Sequence, residues 1–277
     1  DYAPLFKIDI CSNLIWLNKE ESFHHSIELV DNENIWVPSI MYPYSTTVGN
    51  YINEQGFFDD AVTKINTNGE IIFSKSVSEL LIENGIKTPN ILEVYDPIHL
   101  NDIEPAKKDT KFWKKNDLFL SLPRFGAIVL YRPSTNKVIK YINGPFSWQH
   151  DVDIISDEQI SIFNNNNALT TKNNSEILIY NFKDENFKKI INEELIKNNF
   201  KTDTEGLSEI LEDGSILVEE QNHGRLMFFD KEGKKEWEFV NKDSSGNIYF
   251  ISWSRIIEEK EMFTKIKQSI KNKKCIN

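Results

Sequence analysis

The sequence predicts an all-β fold, a single β-propeller of five to six four-stranded blades, on three observations. Triplets of short strands joined by tight turns recur along the chain. One further alternating segment stands ahead of each triplet. The two termini look like complementary pieces of the same unit. A unit of four strands repeating at a roughly constant interval is the pattern of a propeller; a β-sandwich of assorted hairpins is the plainer alternative.

The elements follow in order. The opening stretch YAPLFKIDICSNLIWLN resembles the last two strands of a unit. HSIEL from His25 leads into NIWV and DAVTKINTNGEIIFSKS, residues 34 to 76, with a long insertion between the first two strands of the triplet. HLNDI from His99 precedes DLFLSLPRFGAIVLYRPSTNKVIKYI, residues 117 to 142. HDVDI from His150 precedes the weaker copy QISIFNNNNALTTKNNSEILIYNF, residues 159 to 182. GLSEIL from Gly206 precedes GSILVEEQNHGRLMFFDKEGKKEWEF, residues 214 to 239. Gly126 and Gly224 end matching turns, and Asn68-Gly69 and Glu232-Gly233 suit tight hairpins. GNIYFISWSRII reads as one more first strand, so both termini together are expected to close the ring. Residues 1–257 then form the propeller, and 258–277 a charged helix or flexible tail.

Composition narrows the function classes. A formal net charge of −11 argues against a nucleic-acid partner, which would favour a basic face. A few local cations can still dominate a pocket for a small anion. No run of apolar residues is long enough to span a membrane, and no cofactor motif is present: no Gly-rich phosphate loop, no nucleophile elbow, no Cys-x-x-Cys. No signal peptide is visible, and a start at Asp1 reads as a mature or trimmed chain. Cys11 and Cys275 are expected to be free thiols, a disulfide joining the ends being the other reading.

The histidines carry the functional signal. In a propeller the first strand of each blade lines the axis, and the loops leading into it open on the same face as those joining second to third strands. His24, His25, His99 and His150 stand where first strands begin. Arg124 and His223 fall in second-to-third loops, with Asn164 to Asn167 in the corresponding loop between. All five histidines thus map to one end of one channel. His24 and His25 are adjacent, so they are expected to point to opposite sides of a strand, His25 toward the axis. Asp96, Asn101 and Asp151 either orient imidazoles or complete turns. Trp148, Phe125 and Phe146 either wall a substrate site or pack between blades. Clustered histidines also raise a zinc site, but the spacings match no local metal motif, and a neighbouring arginine favours an anion.

These motifs resemble the bacterial arylsulfotransferase family. The resemblance rests on Asp96-x-x-His99-x-Asn101, LSLPRFGAIVLYRP, Gln149-His150-Asp151, IFNNN and EILEDGSILVEEQNHGRL, in order from about residue 25 to 240. It implies a propeller, typically of six blades, working outside the cytoplasm. It implies transfer of a sulfuryl group from a phenolic sulfate ester to a phenol through a transient sulfo-histidine, without a cofactor. By matching position, His223 is the implied nucleophile, and His99, His150 and Arg124 surround the transferred group. His25, Asn101, Asp151, Asn164, Phe125, Trp148 and Lys172 are the expected substrate-binding residues. Two features depart from the family pattern: a proline precedes Arg124, and Lys172 is the nearest cation where an arginine is expected. A non-catalytic propeller that binds an anionic or aromatic ligand or a protein partner on the same face is the alternative. A metal-dependent hydrolase or lyase is a third possibility.

Overall fold

The structure is a computed structural model that describes residues 3–30, 34–49, 51–86, 95–167 and 174–272. Its strands form four propeller sheets and one small hairpin. The first blade contains β1 (Ala3–Ile8), β2 (Leu14–Phe23), β3 (Glu28–Leu29), β4 (Asn34–Ile40), β7 (Asp60–Asn66) and β8 (Ile71–Ser76). The insertion expected between its strands is the hairpin of β5 (Ser45–Val48) and β6 (Tyr51–Phe57), and α1 (Val77–Glu83) follows β8.

The next three blades are four-stranded antiparallel meanders. The second consists of β9 (Asp102–Pro105), β10 (Leu118–Leu122), β11 (Ala127–Arg132) and β12 (Lys137–Asn143). The third consists of β13 (Val152–Ile154), β14 (Gln159–Asn164), β15 (Glu176–Asn181) and β16 (Asn186–Ile190), followed by α2 (Asn192–Lys197). The fourth consists of β17 (Leu207–Ile210), β18 (Ile216–Glu220), β19 (Arg225–Phe229) and β20 (Lys235–Val240). The matched glycines do as the repeat implies. Pro123–Phe125 and Gln221–His223 each form one 3-10 turn, closed by Gly126 and Gly224 with φ of +53° and +56°. At Gly224 a side chain is also excluded by contact, since a Cβ would lie 2.0 Å from the Tyr249 carbonyl.

Strands such as LFLSL at β10 are buried along their whole length because both faces of a middle blade pack on neighbours. Three apolar clusters fill the spaces between successive blades. Trp36, Val62, Leu80 and Leu81 meet Leu100, Leu118 and Val129 in the first; Trp113, Phe119 and Ile128 meet Ile160, Ile162 and Leu178 in the second. Phe163, Ile177 and Phe200 meet Ile216, Val218 and Met227 in the third.

Four expectations are corrected here. The blades number four, not five to six. The N-terminal hairpin does not start a separate unit: Ser22 and Phe23 of β2 pair with Ile40 and Ser39 of β4, which merges it into the first sheet. The C-terminal stretch contributes one isolated bridge, Lys242 with Ile248, so no sheet built from both termini forms among the described residues. Cys11 is disulfide-bonded rather than a free thiol; Cys275 and Lys172 lie outside the described residues. The expected C-terminal helix is α3 (Lys260–Asn272), with no buried residue. Among the described residues, no helix is long and apolar enough to cross a membrane.

Candidate functional site at the mouth of the axis

The chain turns into its inner strands through a left-handed backbone. His25, His99, Trp148, Glu205 and Trp253 have φ between +55° and +59°, a conformation that costs a non-glycine residue about 1 kcal/mol and needs local bonds to hold it. Carboxylates supply those bonds. Asp60 accepts the backbone N–H groups of His99 and Leu100, at 3.0 and 3.2 Å. Glu219 accepts those of Trp253 and Ser254, at 3.1 and 2.7 Å.

This geometry gathers three histidines. The His25 ring lies 5.3 Å from His99 and 5.6 Å from His150, and His24 sits 4.9 Å from it on the other side. The expectation that His24 and His25 diverge fails because the positive φ at His25 breaks the extended alternation. Instead their Nδ1 atoms stand 2.6 Å apart. His24 Nε2 lies 3.1 Å from Asp60 Oδ1, close enough for an ion pair though off the line of a hydrogen bond. Burial, reinforced by His24, His150 and His99, pushes the His25 pKa well below the ordinary histidine value, so its imidazole is neutral at physiological pH.

His99 Nδ1 lies 2.5 Å from Asp96 Oδ2. Against burial, which would raise it, the bond to His99 and the charges of His99 and Arg124 hold the Asp96 carboxyl below its usual range. Asp96 is therefore the acceptor, and Nδ1 of His99 carries the proton. Arg124 Nη2 is 3.6 Å from the same carboxylate, and its guanidinium stacks 4.9 Å from the Trp148 ring, itself 6.3 Å from His99.

His150 is built differently. Asn165 uses its Nδ2 on the carbonyls of Thr202 and Glu205, so its Oδ1, 2.7 Å from His150 Nδ1, must accept. Nε2 of His150 in turn accepts the Glu205 N–H at 2.9 Å. Both ring nitrogens are thus engaged, and burial pushes the pKa down to about 4. His150 positions the loop at Glu205; it has no nitrogen left for a substrate.

A cavity of about 330 Å³ opens beside His25, walled by Phe23, Val37, Phe250 and Trp253 and edged by Glu205 and Gln221. The remaining expected residues are placed as follows. Asn101 is buried and donates to the Gln149 carbonyl. Asn164 is buried and caps Ser147 N–H. Asp151 is buried and accepts Ser208 N–H. Phe125 packs against the first core cluster, and Phe146 is core, edge-to-face with Phe187. His223 is not brought to the cluster: its side chain is 59% exposed and its Nδ1 bonds the Lys201 carbonyl at 2.9 Å.

Two features escaped the sequence reading. Glu205 stands at the fourth inner strand, where the first two carry histidines. Further along the inner strands, beside the expected Asp151, lies a set of carboxylates, Glu28, Asp102, Asp153 and Glu209, with Arg255 among them. A carboxylate three residues after His25, His99 and His150 (Glu28, Asp102, Asp153) was the available signal.

The sequence matches the family described as Arylsulfotransferase (ASST) over residues 2–242. The chain belongs to the arylsulfotransferase family. Among curated proteins none matches it. A solved structure from Bacteroides caccae, described as a protein of unknown function, is similar at TM-score 0.54 and 10% identity, covering 83% of this chain and 72% of that one. The Dos1 propeller superimposes at TM-score 0.46 with 12% identity over 86% of this chain, which spans 54% of that structure. Virginiamycin B lyase from Staphylococcus aureus superimposes at 0.42 with 10% identity, covering 86% and 84%. At such identities the Bacteroides likeness speaks for the fold alone. Membership supports a sulfotransferase-like activity in general terms.

Proposed function

We propose that this arylsulfotransferase moves a sulfuryl group from a phenolic sulfate ester to a phenol through His25. The observation that carries the reading is the neutral His25 imidazole, backed at Nδ1 by His24 and Asp60 and facing an aromatic-walled cavity. Nε2 of His25 attacks sulfur, the bond from sulfur to the phenolic oxygen breaks, and the group rests on nitrogen until a second phenol accepts it. Splitting one transfer into two steps is the gain from a covalent intermediate. Arg124, held beside Asp96, supplies donors to the sulfuryl oxygens. Phe23, Phe250 and Trp253 suit a single aromatic ring. His223, the nucleophile implied by resemblance, is solvent-exposed outside the cluster and serves as the control.

Work outside the cytoplasm is part of the proposal. The disulfide at Cys11 supports it, because such bonds persist in oxidising compartments.

The test is incubation with an aryl sulfate, followed by mass spectrometry of the peptide that carries His25. The expected result is a mass gain of one sulfuryl group on that peptide, lost on adding a phenol and absent in His25→Asn but present in His223→Asn. Saturable binding of the aryl sulfate without adduct or product would instead favour the ligand-binding alternative.

A further inference from the structure

Under the sulfuryl-transfer reading, a proton must reach the departing phenolate and leave the incoming phenol, and the protons located on the clustered histidines are already engaged. His25 is the attacking group, the Nδ1 proton of His99 is committed to Asp96, and His150 has both nitrogens engaged. One carboxyl stands at the cavity edge, and its backbone is bonded on both sides. Glu205 lines the same cavity as His25. Its N–H donates to His150 Nε2 at 2.9 Å, and its carbonyl accepts from Asn165 Nδ2 at 2.6 Å. Its φ is +57°, and Gly206 after it has φ +93°, where a Cβ would meet Thr202, Phe163 and the Glu219 carbonyl at 2.6 to 3.0 Å. The left-handed turn is shared by the other inner-strand entries; here its bonds fix the backbone of residue 205, and with it the point at the cavity edge from which the carboxyl projects.

We propose that Glu205 is the acid–base catalyst of this site. The inference rests on the sulfuryl-transfer reading. In the first step the protonated carboxyl gives its proton to the phenolic oxygen as that oxygen leaves sulfur, while His25 Nε2 forms the new bond to sulfur. In the second step the carboxylate takes the proton of the acceptor phenol as its oxygen attacks sulfur and the bond to His25 breaks. The carboxyl ends as it began, and no other reactant is required. Burial, with Glu219 nearby, raises the Glu205 pKa above the ordinary glutamate value, which favours a carboxyl that holds a proton to give. The His99 charge acts the other way.

The experiment compares Glu205→Gln with the wild-type chain on two donors, one releasing a weakly acidic phenol and one releasing a strongly acidic nitrophenol. Adduct formation is followed in a single turnover. Glutamine keeps the size of the side chain, and the backbone bonds at residue 205 remain, so thermal melting should be unchanged. The expected result is at least a hundred-fold loss with the weakly acidic leaving group and less than a five-fold loss with the nitrophenol, which needs no proton to depart. Equal losses on both donors, or none on either, overturn the role of Glu205. A wild-type chain that forms no adduct from either donor overturns the sulfuryl-transfer reading itself, a different outcome from the first two.

Discussion

The Nδ1 atoms of His24 and His25 lie 2.6 Å apart, and of two imidazole nitrogens in contact one must donate and the other accept. Asp60, 3.1 Å from His24 Nε2, favours the proton on that nitrogen. His24 Nδ1 is then the acceptor, His25 Nδ1 the donor, and His25 Nε2 carries a lone pair. Asp60, His24 and His25 form a chain that can stabilise positive charge arising on His25 as its Nε2 bonds sulfur. The same Asp60 holds the backbone of His99, so one carboxylate sets two of the three clustered imidazoles.

Replacing His24 by phenylalanine keeps the bulk and removes the chain. The expected result is a fall in adduct formation by about a hundred-fold, within the range of acid–base contributions, with little change in melting temperature. Asp60→Asn should show the same kinetic loss together with a destabilisation of about 1–2 kcal/mol, because a neutral amide oxygen is a weaker partner for two buried N–H groups. Stopped-flow rates beside denaturant melts separate the two effects.

His150 is expected to behave as a positioning residue. His150→Phe leaves the Glu205 N–H and Asn165 Oδ1 without their partner, a loss of about 2 kcal/mol. The pH dependence follows from its titration. The folded-state pKa, about 4, is depressed below the ordinary 6.5. Stability from this group is therefore fully present above pH 6.5 and is lost as pH falls toward 4. NMR of the ring nitrogens should find the ring neutral with its proton on Nδ1 at pH 6. A protonated ring at that pH would contradict the assignment.

Arg124 meets Asp96 and stacks on Trp148 at the surface of the cluster. Arg124→Ala should raise KM for the aryl sulfate and lower kcat/KM by about a hundred-fold, equivalent to roughly 3 kcal/mol of lost oxyanion stabilisation. Arg124→Lys should restore less than a tenth of this, since an ammonium cannot offer two parallel donors to an oxygen pair. Full rescue by lysine would reduce the role of Arg124 to simple charge.

The fold was legible where the sequence repeats. Strand triplets at 117–142 and 214–239 give sheets with matching turns at Gly126 and Gly224, and the insertion before β7 was expected from the spacing alone. Blade number was not legible, because whether the hairpin at Leu5 and Trp16 joins a neighbour depends on two backbone pairs at Ser22 and Phe23. The convergence of His25, His99 and His150 followed from their place ahead of inner strands. Their division of labour did not. It depends on which ring nitrogen each partner occupies, and Asn165 and Asp96 reach their histidines only in three dimensions. His223 shows the reverse error: its loop matches that of Arg124, yet its ring turns to the Lys201 carbonyl.

Arg255 gives the last prediction. It bonds Glu28 Oε1 at 2.7 Å, and its charge acts on Asp151, Asp153 and Glu209. Burial raises Asp153 from 3.8 to about 7, with Arg255 opposing the rise and Glu28 and Glu209 adding to it. A carboxyl that holds its proton more tightly when folded favours folding at low pH, and that advantage is lost as pH rises from about 4 to about 7. Arg255 offsets the loss by lending its charge to the ionised forms. Arg255→Met should therefore destabilise most where the carboxylates are ionised, by about 2 kcal/mol at pH 8, a value kept below that of a fully buried pair because the side chain is 34% exposed. At pH 5, with Asp153 protonated, the gap should shrink to less than half. Denaturant unfolding of both proteins at the two pH values measures it, and an equal gap at both would show that Arg255 contributes packing rather than charge.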